Sequence, residues 1–295
     1  MRSRTMPNLR AIRFRYALRV LFVLLPMLPS AVWAGRADTL RFEAAPILPG
    51  DGNTIHYAYV YLPDGYDSLI QQAESTSIPP HRYPVVYLFH GFMGNQYSWE
   101  DKGHISQILD SLIAGGHIEP IIAVMPYCIP RDPTQAVKLR TFTYNTFHYG
   151  RLKHGEFEKT FSDVEAYIHA HYRVADDTIC ALAGLSYGAR VAANIAKSRS
   201  YRTVGLFSPV ISRHQYPVPC QFEGTNCTAY WIACGQADFF RPDTKKLIRY
   251  MNQHHLPYDY YDTNGRHCWK TWRRYIAQFL IENYPNSSPM VVVEP

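Results

Sequence analysis

The sequence lacks internal repeats, low-complexity blocks and long linkers, so nothing in it indicates a repeat architecture or a long disordered segment. It also lacks an uninterrupted apolar run suited to a bilayer span, because the uncharged stretch at residues 20–34 is short and contains Pro26 and Pro29. The 295 residues are 47% hydrophobic and 18% charged, which is ordinary for a globular protein with a substantial core. The composition therefore predicts a folded domain without specifying its chemistry.

The first 34 residues differ from the rest in composition. They contain six arginines and no acidic residue, and the arginines precede the uncharged stretch. Val32 and Ala34 place small residues at the two positions that a signal peptidase reads. This pattern predicts a cleavable signal peptide at residues 1–34, a single domain at residues 35–295, export to the periplasm or the extracellular space, and no membrane span after cleavage. The alternative is an uncleaved N-terminal anchor.

The chain has no net charge once this segment is removed. The full sequence has 30 basic and 24 acidic residues, a formal net charge of +6, and six of the basic residues lie in the predicted signal peptide. The remaining 24 basic and 24 acidic residues cancel. A nucleic-acid partner, which the overall charge would otherwise suggest, is therefore not expected.

Cysteine is present, but without the spacing of a metal site. The six cysteines match no zinc-binding pattern, so no metal ion is expected. Export would permit disulfide bonds. Cys220 and Cys227 flank a polar loop with a turn-forming glycine, and they are the predicted disulfide pair.

Strand-like and helix-like segments alternate along the rest of the sequence. The predicted strands are "TIHYAYVYLP", "YPVVYLFHG", "IEPIIAVMPY", "TICALAG", "TVGLFSP", "TAYWIACG" and "YDYYD". Segments of helical periodicity separate most of them, which is typical of crossover units. The pattern predicts an α/β fold with a mostly parallel central sheet and helices on both faces. Residues 128–150 are long and irregular for a connection, which indicates a functional loop.

The motif Gly-Leu-Ser-Tyr-Gly at residues 184–188 is the first candidate for chemistry. So short a motif also arises by chance, but here a predicted strand precedes Ser186 and a predicted helix follows it, the setting of a nucleophile elbow. Gly184 and Gly188 have a physical role, because larger residues two positions either side of the serine would collide with the strand or the helix. Ser186 is therefore the predicted nucleophile.

Partners for Ser186 are expected at the carboxyl ends of other strands. Asp238 ends the segment "WIACGQAD", where a carboxylate can orient a histidine and stabilise its cation. Its nearest rival is Asp243, which opens the following helix. His267 lies in a glycine-containing loop between the last predicted strand and the last helix. The order serine, aspartate, histidine predicts a catalytic triad of Ser186, Asp238 and His267.

An oxyanion hole requires two backbone N–H donors. The residue after the nucleophile, Tyr187, is one predicted donor, and Phe92 in the loop after "YLFHG" is the other. Gly91 and Gly94 allow that loop to come close to a substrate. His90, at the start of the loop, is interpreted as a structural hydrogen-bonding residue rather than a base.

Together these segments resemble the putative-esterase family of α/β-hydrolases, which includes feruloyl esterases, S-formylglutathione hydrolases and mycolyltransferases. The matching pieces are "YLPDGYD" (61–67), "PVVYLFHGFMGNQYSW" (84–99), "IIAVMPY" (121–127), "AGLSYGA" (183–189), "CGQAD" (234–238) and "GRHCWKTWRRYI" (265–276). The resemblance implies an α/β-hydrolase fold, the same triad and the same two oxyanion donors. The chain departs from the family's pattern at Tyr187, where methionine is frequent, and at Cys268, where an acidic residue is usual. Both would lie near the acyl group.

The predicted function is an exported serine carboxylic ester hydrolase that works through an acyl-enzyme and requires no metal or organic cofactor. The candidate cleft residues are Trp99, Tyr97, Tyr144 and His148, although core packing is the alternative for each aromatic ring. An aromatic cleft would suit sugar-linked or phenolic esters, such as feruloyl or acetyl esters of a small molecule or a polysaccharide. Two other functions stay open: an acyltransferase that uses the same acyl-enzyme, and a non-catalytic carbohydrate-binding protein on a hydrolase fold.

Overall fold

An eight-stranded sheet organises the described part of the protein. The computed structural model describes residues 34–46, 54–67, 81–129, 156–175, 180–218 and 228–286. In chain order the strands are β1 (Arg36–Glu43), β2 (Ile55–Leu62), β3 (Val85–Phe89), β4 (Ile122–Pro126), β5 (Ala181–Leu185), β6 (Thr203–Phe207), β7 (Ala229–Gly235) and β8 (Tyr258–Thr263).

Almost all of these strands run in the same direction. Their order across the sheet is β1-β2-β4-β3-β5-β6-β7-β8. β2 pairs antiparallel with both of its neighbours, β1 and β4, and every other pairing in the sheet is parallel. The mostly parallel sheet that the sequence predicts is confirmed.

Helices cover both faces of the sheet. In the described part of the chain they are α1 (Ser98–Asp101), α2 (Ile105–Ala114), α3 (Glu156–His171), α4 (Tyr187–Ile195), α5 (Arg241–Gln253) and α6 (Trp269–Asn283). The buried side chains form two clusters, one on each face. α3, α4 and α5 contribute to the first cluster, and α1, α2 and α6 contribute to the second.

Strand β3 shows why the central strands read as continuous apolar runs. Val85, Tyr87 and Phe89 point into the first cluster, whereas Val86 and Leu88 point into the second. All five side chains are buried. Because helices cover both faces, neither set of side chains meets water. The strand sequence therefore does not alternate between apolar and polar residues, as that of a half-exposed strand does.

Strand β1 is the element that the sequence pattern does not predict. Its sequence, RADTLRFE, carries four charged residues, and of its eight side chains only Phe42 is buried. It pairs with β2 alone at the edge of the sheet, where charged residues discourage pairing with another chain. The sequence of such an edge strand reflects its exposure rather than a core.

Several sequence predictions fall outside the described residues. They concern the signal peptide up to residue 33, the Cys220–Cys227 disulfide and most of the irregular segment 128–150, and they stay predictions. None of the helices within the described ranges has the length and hydropathy that crossing a bilayer requires.

Two phenylalanines that differ in burial test this account of the core. Phe279 of α6 is fully buried, in edge contact with Phe207 and Trp231. We expect Phe279→Ala to lower the free energy of unfolding by about 3–5 kcal/mol, because it removes a large buried side chain and leaves a cavity. Phe239→Ala removes the same atoms from a side chain that is 66% exposed, and it should change stability by about 0.5 kcal/mol or less.

Urea unfolding followed by circular dichroism measures both values. Equal losses of stability in the two variants would contradict this account of the core.

Candidate active site

Ser186 occupies a sharp turn between β5 and α4. Its backbone has φ 54° and ψ −115°, a strained conformation for a residue with a side chain. A Cβ at Gly184 would lie 2.2 Å from the backbone of Gly188, and a Cβ at Gly188 would lie 2.2 Å from the carbonyl oxygen of Phe89. Both glycines are therefore required by close backbone contacts, and the strand and helix predicted on either side of Ser186 are present.

The carboxyl ends of β5, β7 and β8 bring three polar side chains together. His267 Nε2 lies 3.0 Å from Ser186 Oγ, and His267 Nδ1 lies 3.1 Å and 3.0 Å from the two carboxylate oxygens of Asp238. The rival Asp243 lies in the first turn of α5, where it pairs with Lys246 at 2.9 Å. Asp238 is therefore the carboxylate that contacts His267.

The surroundings of Asp238 keep its carboxylate ionised. Burial by itself would raise the pKa of Asp238, but hydrogen bonding and charge from His267, the backbone N–H of Phe240 and the hydroxyl of Ser208 outweigh it. The pKa of Asp238 therefore lies below its usual range. The N–H of Phe240 donates to Asp238 Oδ1 at 2.9 Å. A carboxylate held in this way can orient His267 and stabilise its protonated form.

Ser208 is a buried link behind this pair that the sequence reasoning missed. It directly follows β6, is fully buried and has a left-handed backbone with φ 48°. Its Oγ accepts a 3.1 Å hydrogen bond from Trp272 Nε1, which leaves the hydroxyl proton for Asp238. The available signal was a polar residue at the end of the strand between those that carry Ser186 and Asp238.

Aromatic side chains also surround His267. The rings of Phe239 and Phe240 lie 4.6 Å and 5.1 Å from the imidazole centroid, and Trp272 meets it edge-on at 4.8 Å. The His267 side chain stays 12% exposed, while Asp238 is buried. His267 therefore has access to a substrate and the carboxylate behind it does not.

The two predicted oxyanion donors belong to neighbouring segments. Tyr187 is the first residue of α4, where N–H groups have no partner within the helix. A Cβ at Gly91 would lie 3.6 Å from Ser186 Cβ, so the loop after β3 approaches the nucleophile closely. The rings of Phe92 and Tyr187 lie 6.2 Å apart. This arrangement places both residues beside Ser186.

His90 holds the loop after β3 in place. Its Nε2 accepts a 3.2 Å hydrogen bond from the N–H of Cys128, so Nδ1 carries the proton and donates to the carbonyl of Gly91 at 2.9 Å. Burial lowers the pKa of His90 to about 4, which keeps the ring neutral near pH 7. His90 thus joins the loop after β3 to the segment after β4, which fits the structural role predicted for it.

The four residues predicted to line the cleft do not all lie where the sequence predicts. The prediction for Trp99 is wrong: its side chain is fully buried in the second cluster, against Phe207 and Trp269. Tyr97 is half-buried and packs edge-on against Tyr59. Tyr144 and His148 lie outside the described residues.

Tyr187 and Cys268, the two residues that depart from the family pattern, differ in exposure. The Tyr187 ring is 3% exposed and packs in the first cluster, so it leaves little surface for a substrate. The Cys268 side chain is exposed next to His267.

Two exposed apolar residues next to the site escaped the sequence reasoning. Met93, which follows the predicted donor Phe92, is 57% exposed, and Phe239, which follows Asp238, is 66% exposed. Of the described residues, only Val218 shares this combination of large apolar side chain and high exposure. The available signal was their position, since each directly follows a predicted site residue.

The sequence also matches a known family. Residues 53–238, more than half of the chain, match the family described as putative esterase. The chain belongs to the putative esterase family.

Solved structures show the same fold as this chain. A CE1 ferulic acid esterase from Anaeromyces mucronatus, solved with ferulic acid, is 20% identical, and the alignment covers 89% of this chain and 95% of that one with a TM-score of 0.66. An S-formylglutathione hydrolase from Staphylococcus aureus is 16% identical, with coverage of 86% and 98% and a TM-score of 0.61. The predicted α/β-hydrolase fold is confirmed.

A curated relative matches part of the chain. An endo-1,4-beta-xylanase/feruloyl esterase from Xylanibacter ruminicola is 35% identical over 133 residues, which are 44% of this chain. The match spans only 16% of that relative's length.

The buried Ser208 hydroxyl gives a test of the site. We expect Ser208→Ala to lower kcat about tenfold with little change in KM, because Asp238 loses a donor and holds His267 less firmly. The low pKa of Asp238 stabilises the fold above the usual carboxyl pKa, and this stability is lost as the pH falls through the folded-state pKa. The variant raises that pKa toward the usual carboxyl value, so less unfolding free energy should be lost on acidification, and the loss should be complete at a higher pH.

Steady-state kinetics at pH 7 and urea unfolding between pH 5 and pH 2.5 measure the two effects. Ser212→Ala is the matched control, since Ser212 Oγ bonds Gln215 in a capping box instead. A Ser208→Ala variant with the same acid profile as this control would contradict the role of Ser208.

Proposed function

We propose that this esterase is an exported serine ester hydrolase with Ser186 as its nucleophile, His267 as its general base and acid, and Asp238 as the residue that orients His267. The observation that carries the proposal is the hydrogen-bonded chain from Asp238 through His267 to Ser186 Oγ, which ends on a strained turn. Export follows from the composition of residues 1–34.

The reaction proceeds through an acyl-enzyme. Ser186 Oγ attacks the ester carbonyl carbon while its proton passes to His267 Nε2. The tetrahedral intermediate collapses when His267 returns that proton to the departing alcohol oxygen, which leaves the acyl group on Ser186. Water, deprotonated by His267, then attacks the acyl carbon, and loss of the acid restores Ser186.

Asp238 and the two backbone donors stabilise the charges that form during attack. Asp238 accepts a hydrogen bond from the Nδ1–H of His267, so Nε2 is left as the acceptor that faces Ser186. The amides of Tyr187 and Phe92 stabilise the negative charge that develops on the carbonyl oxygen. The position of Tyr187 at the start of α4 adds the positive end of the helix dipole.

The substrate class is proposed to be a sugar-linked or phenolic ester, on a small molecule or a polysaccharide. Phe239 packs on His267, which protonates the departing alcohol, so its exposed ring lies on the alcohol side of the scissile bond. An exposed aromatic ring can stack on the apolar face of a sugar. A relative named endo-1,4-beta-xylanase/feruloyl esterase and a structural neighbour named ferulic acid esterase support the same substrate class.

Removal of the nucleophile gives the first test of this proposal. We expect Ser186→Ala to lower kcat for p-nitrophenyl acetate by at least about 10⁴-fold, because no other group forms the acyl-enzyme. The stability of the variant should stay close to that of the native protein, which thermal unfolding verifies.

An unchanged turnover in Ser186→Ala would refute the proposal and leave a non-catalytic carbohydrate-binding protein as the alternative. Product analysis of the native enzyme with an added alcohol acceptor distinguishes hydrolysis from acyl transfer. Transfer that outpaces hydrolysis would assign an acyltransferase instead.

A pair of substrates with the same acyl group tests the role of Phe239. We expect Phe239→Ala to lower kcat/KM for feruloyl arabinose about tenfold, the effect of losing roughly 1.4 kcal/mol of apolar contact. Methyl ferulate, whose alcohol is too small to reach the ring, should change by less than about twofold on the same reasoning. Equal losses for the two esters would show that Phe239 supports His267 and does not bind the alcohol.

A further inference from the structure

Gly35, the residue that follows the predicted signal peptide, is held by a hydrogen bond and by close contacts within the fold. Gly35 is half-buried just ahead of β1, and its nitrogen donates a 2.9 Å hydrogen bond to Asp110 Oδ1 on α2. The same carboxylate oxygen accepts a 2.7 Å bond from the hydroxyl of Tyr61, a fully buried residue of β2. A single carboxylate oxygen therefore joins β2, α2 and the chain that enters β1.

This site accepts only glycine at position 35. A Cβ there would lie 2.5 Å from the carbonyl oxygen of Leu62 and 2.5 Å from a ring carbon of Tyr61. Both obstacles are fixed, because Leu62 and Tyr61 are fully buried residues of β2 that pair with the first two residues of β1. The backbone of Gly35 therefore packs closely on β2, with its nitrogen against Asp110.

We propose that a signal peptidase cleaves the Ala34–Gly35 bond and that the new ammonium group of Gly35 binds Asp110 as an ion pair, which fastens the mature N-terminus to the fold. Hydrolysis consumes one water, leaves a carboxylate on Ala34 and converts the amide nitrogen of Gly35 into an ammonium group. This inference rests on the export part of the proposed function and is independent of the ester chemistry.

The electrostatics of Asp110 suit this event. In the described part of the uncleaved chain, the donors to Asp110 are the amide of Gly35 and the phenol of Tyr61, both uncharged. Cleavage turns the first of them into a cation, which adds the attraction between two opposite charges to a hydrogen bond whose acceptor is already ionised. The sequence also places Val32 and Ala34 where a signal peptidase reads small residues.

The first measurement locates the cleavage. The full chain is expressed in a host with a signal peptidase, and the exported protein is analysed by N-terminal sequencing and intact mass. We expect a chain that begins at Gly35. A chain that keeps residues 1–34, or that begins at another residue, would overturn the inference.

The second measurement tests the ion pair. Asp110→Asn is introduced into the form that begins at Gly35 and into a form that keeps Ala34, in which the nitrogen of Gly35 is still an amide. We expect the substitution to lower Tm by about 2–4 °C more in the form that begins at Gly35. Equal losses in the two forms would show an ordinary hydrogen bond and overturn the ion pair.

Tyr61→Phe is the matched control, because it removes the other donor to the same oxygen. It should lower Tm equally in both forms, whereas a difference of the size expected for Asp110→Asn would contradict the assignment to the ammonium group. Turnover of p-nitrophenyl acetate by Asp110→Asn should equal that of the native enzyme. Failure of the proposed ester chemistry would therefore appear in Ser186→Ala, and failure of this inference would appear in Asp110→Asn.

Discussion

The contact between the start of α4 and the end of β3 is the constraint on which the active site depends. At Gly188 a Cβ would lie 2.2 Å from the carbonyl oxygen of Phe89 and 2.7 Å from that of His90, so the helix and the strand approach as closely as backbones can. This approach forces Ser186 into its strained turn. It also brings the loop that carries Phe92 beside Tyr187 at the first turn of α4.

Two sets of hydrogen bonds support this contact from opposite sides. On one side, neutral His90 joins the loop after β3 to the segment after β4. On the other side, Trp272 and Ser208 support Asp238, which in turn holds His267. Both sets are largely buried, so water does not compete for their donors and acceptors. The side chains of the proposed triad are thus held in position by buried groups behind them.

The sequence predicts the elements with strong local signals and misses those that depend on packing. The elbow at Ser186 is predictable because its glycines and flanking periodicities are local, and the order of Asp238 and His267 follows from the topology of a parallel sheet. Strand β1 escapes prediction because its charges reflect an edge position. The burial of Trp99 and the support from Ser208 escape it because both depend on side chains distant in sequence.

Because β8 lies at the edge of the sheet, the site beside it can open more easily than the core unfolds. This strand pairs with β7 on one side and, in the described residues, with no strand on the other, and none of its side chains is fully buried. His267 is carried by the loop that follows it, whereas Ser186 follows the interior strand β5. Edge elements with few buried contacts open at a lower free energy than the core. Local opening at this edge would therefore withdraw His267 from Ser186 while the core stays folded, so the proposed activity would be lost before the protein unfolds.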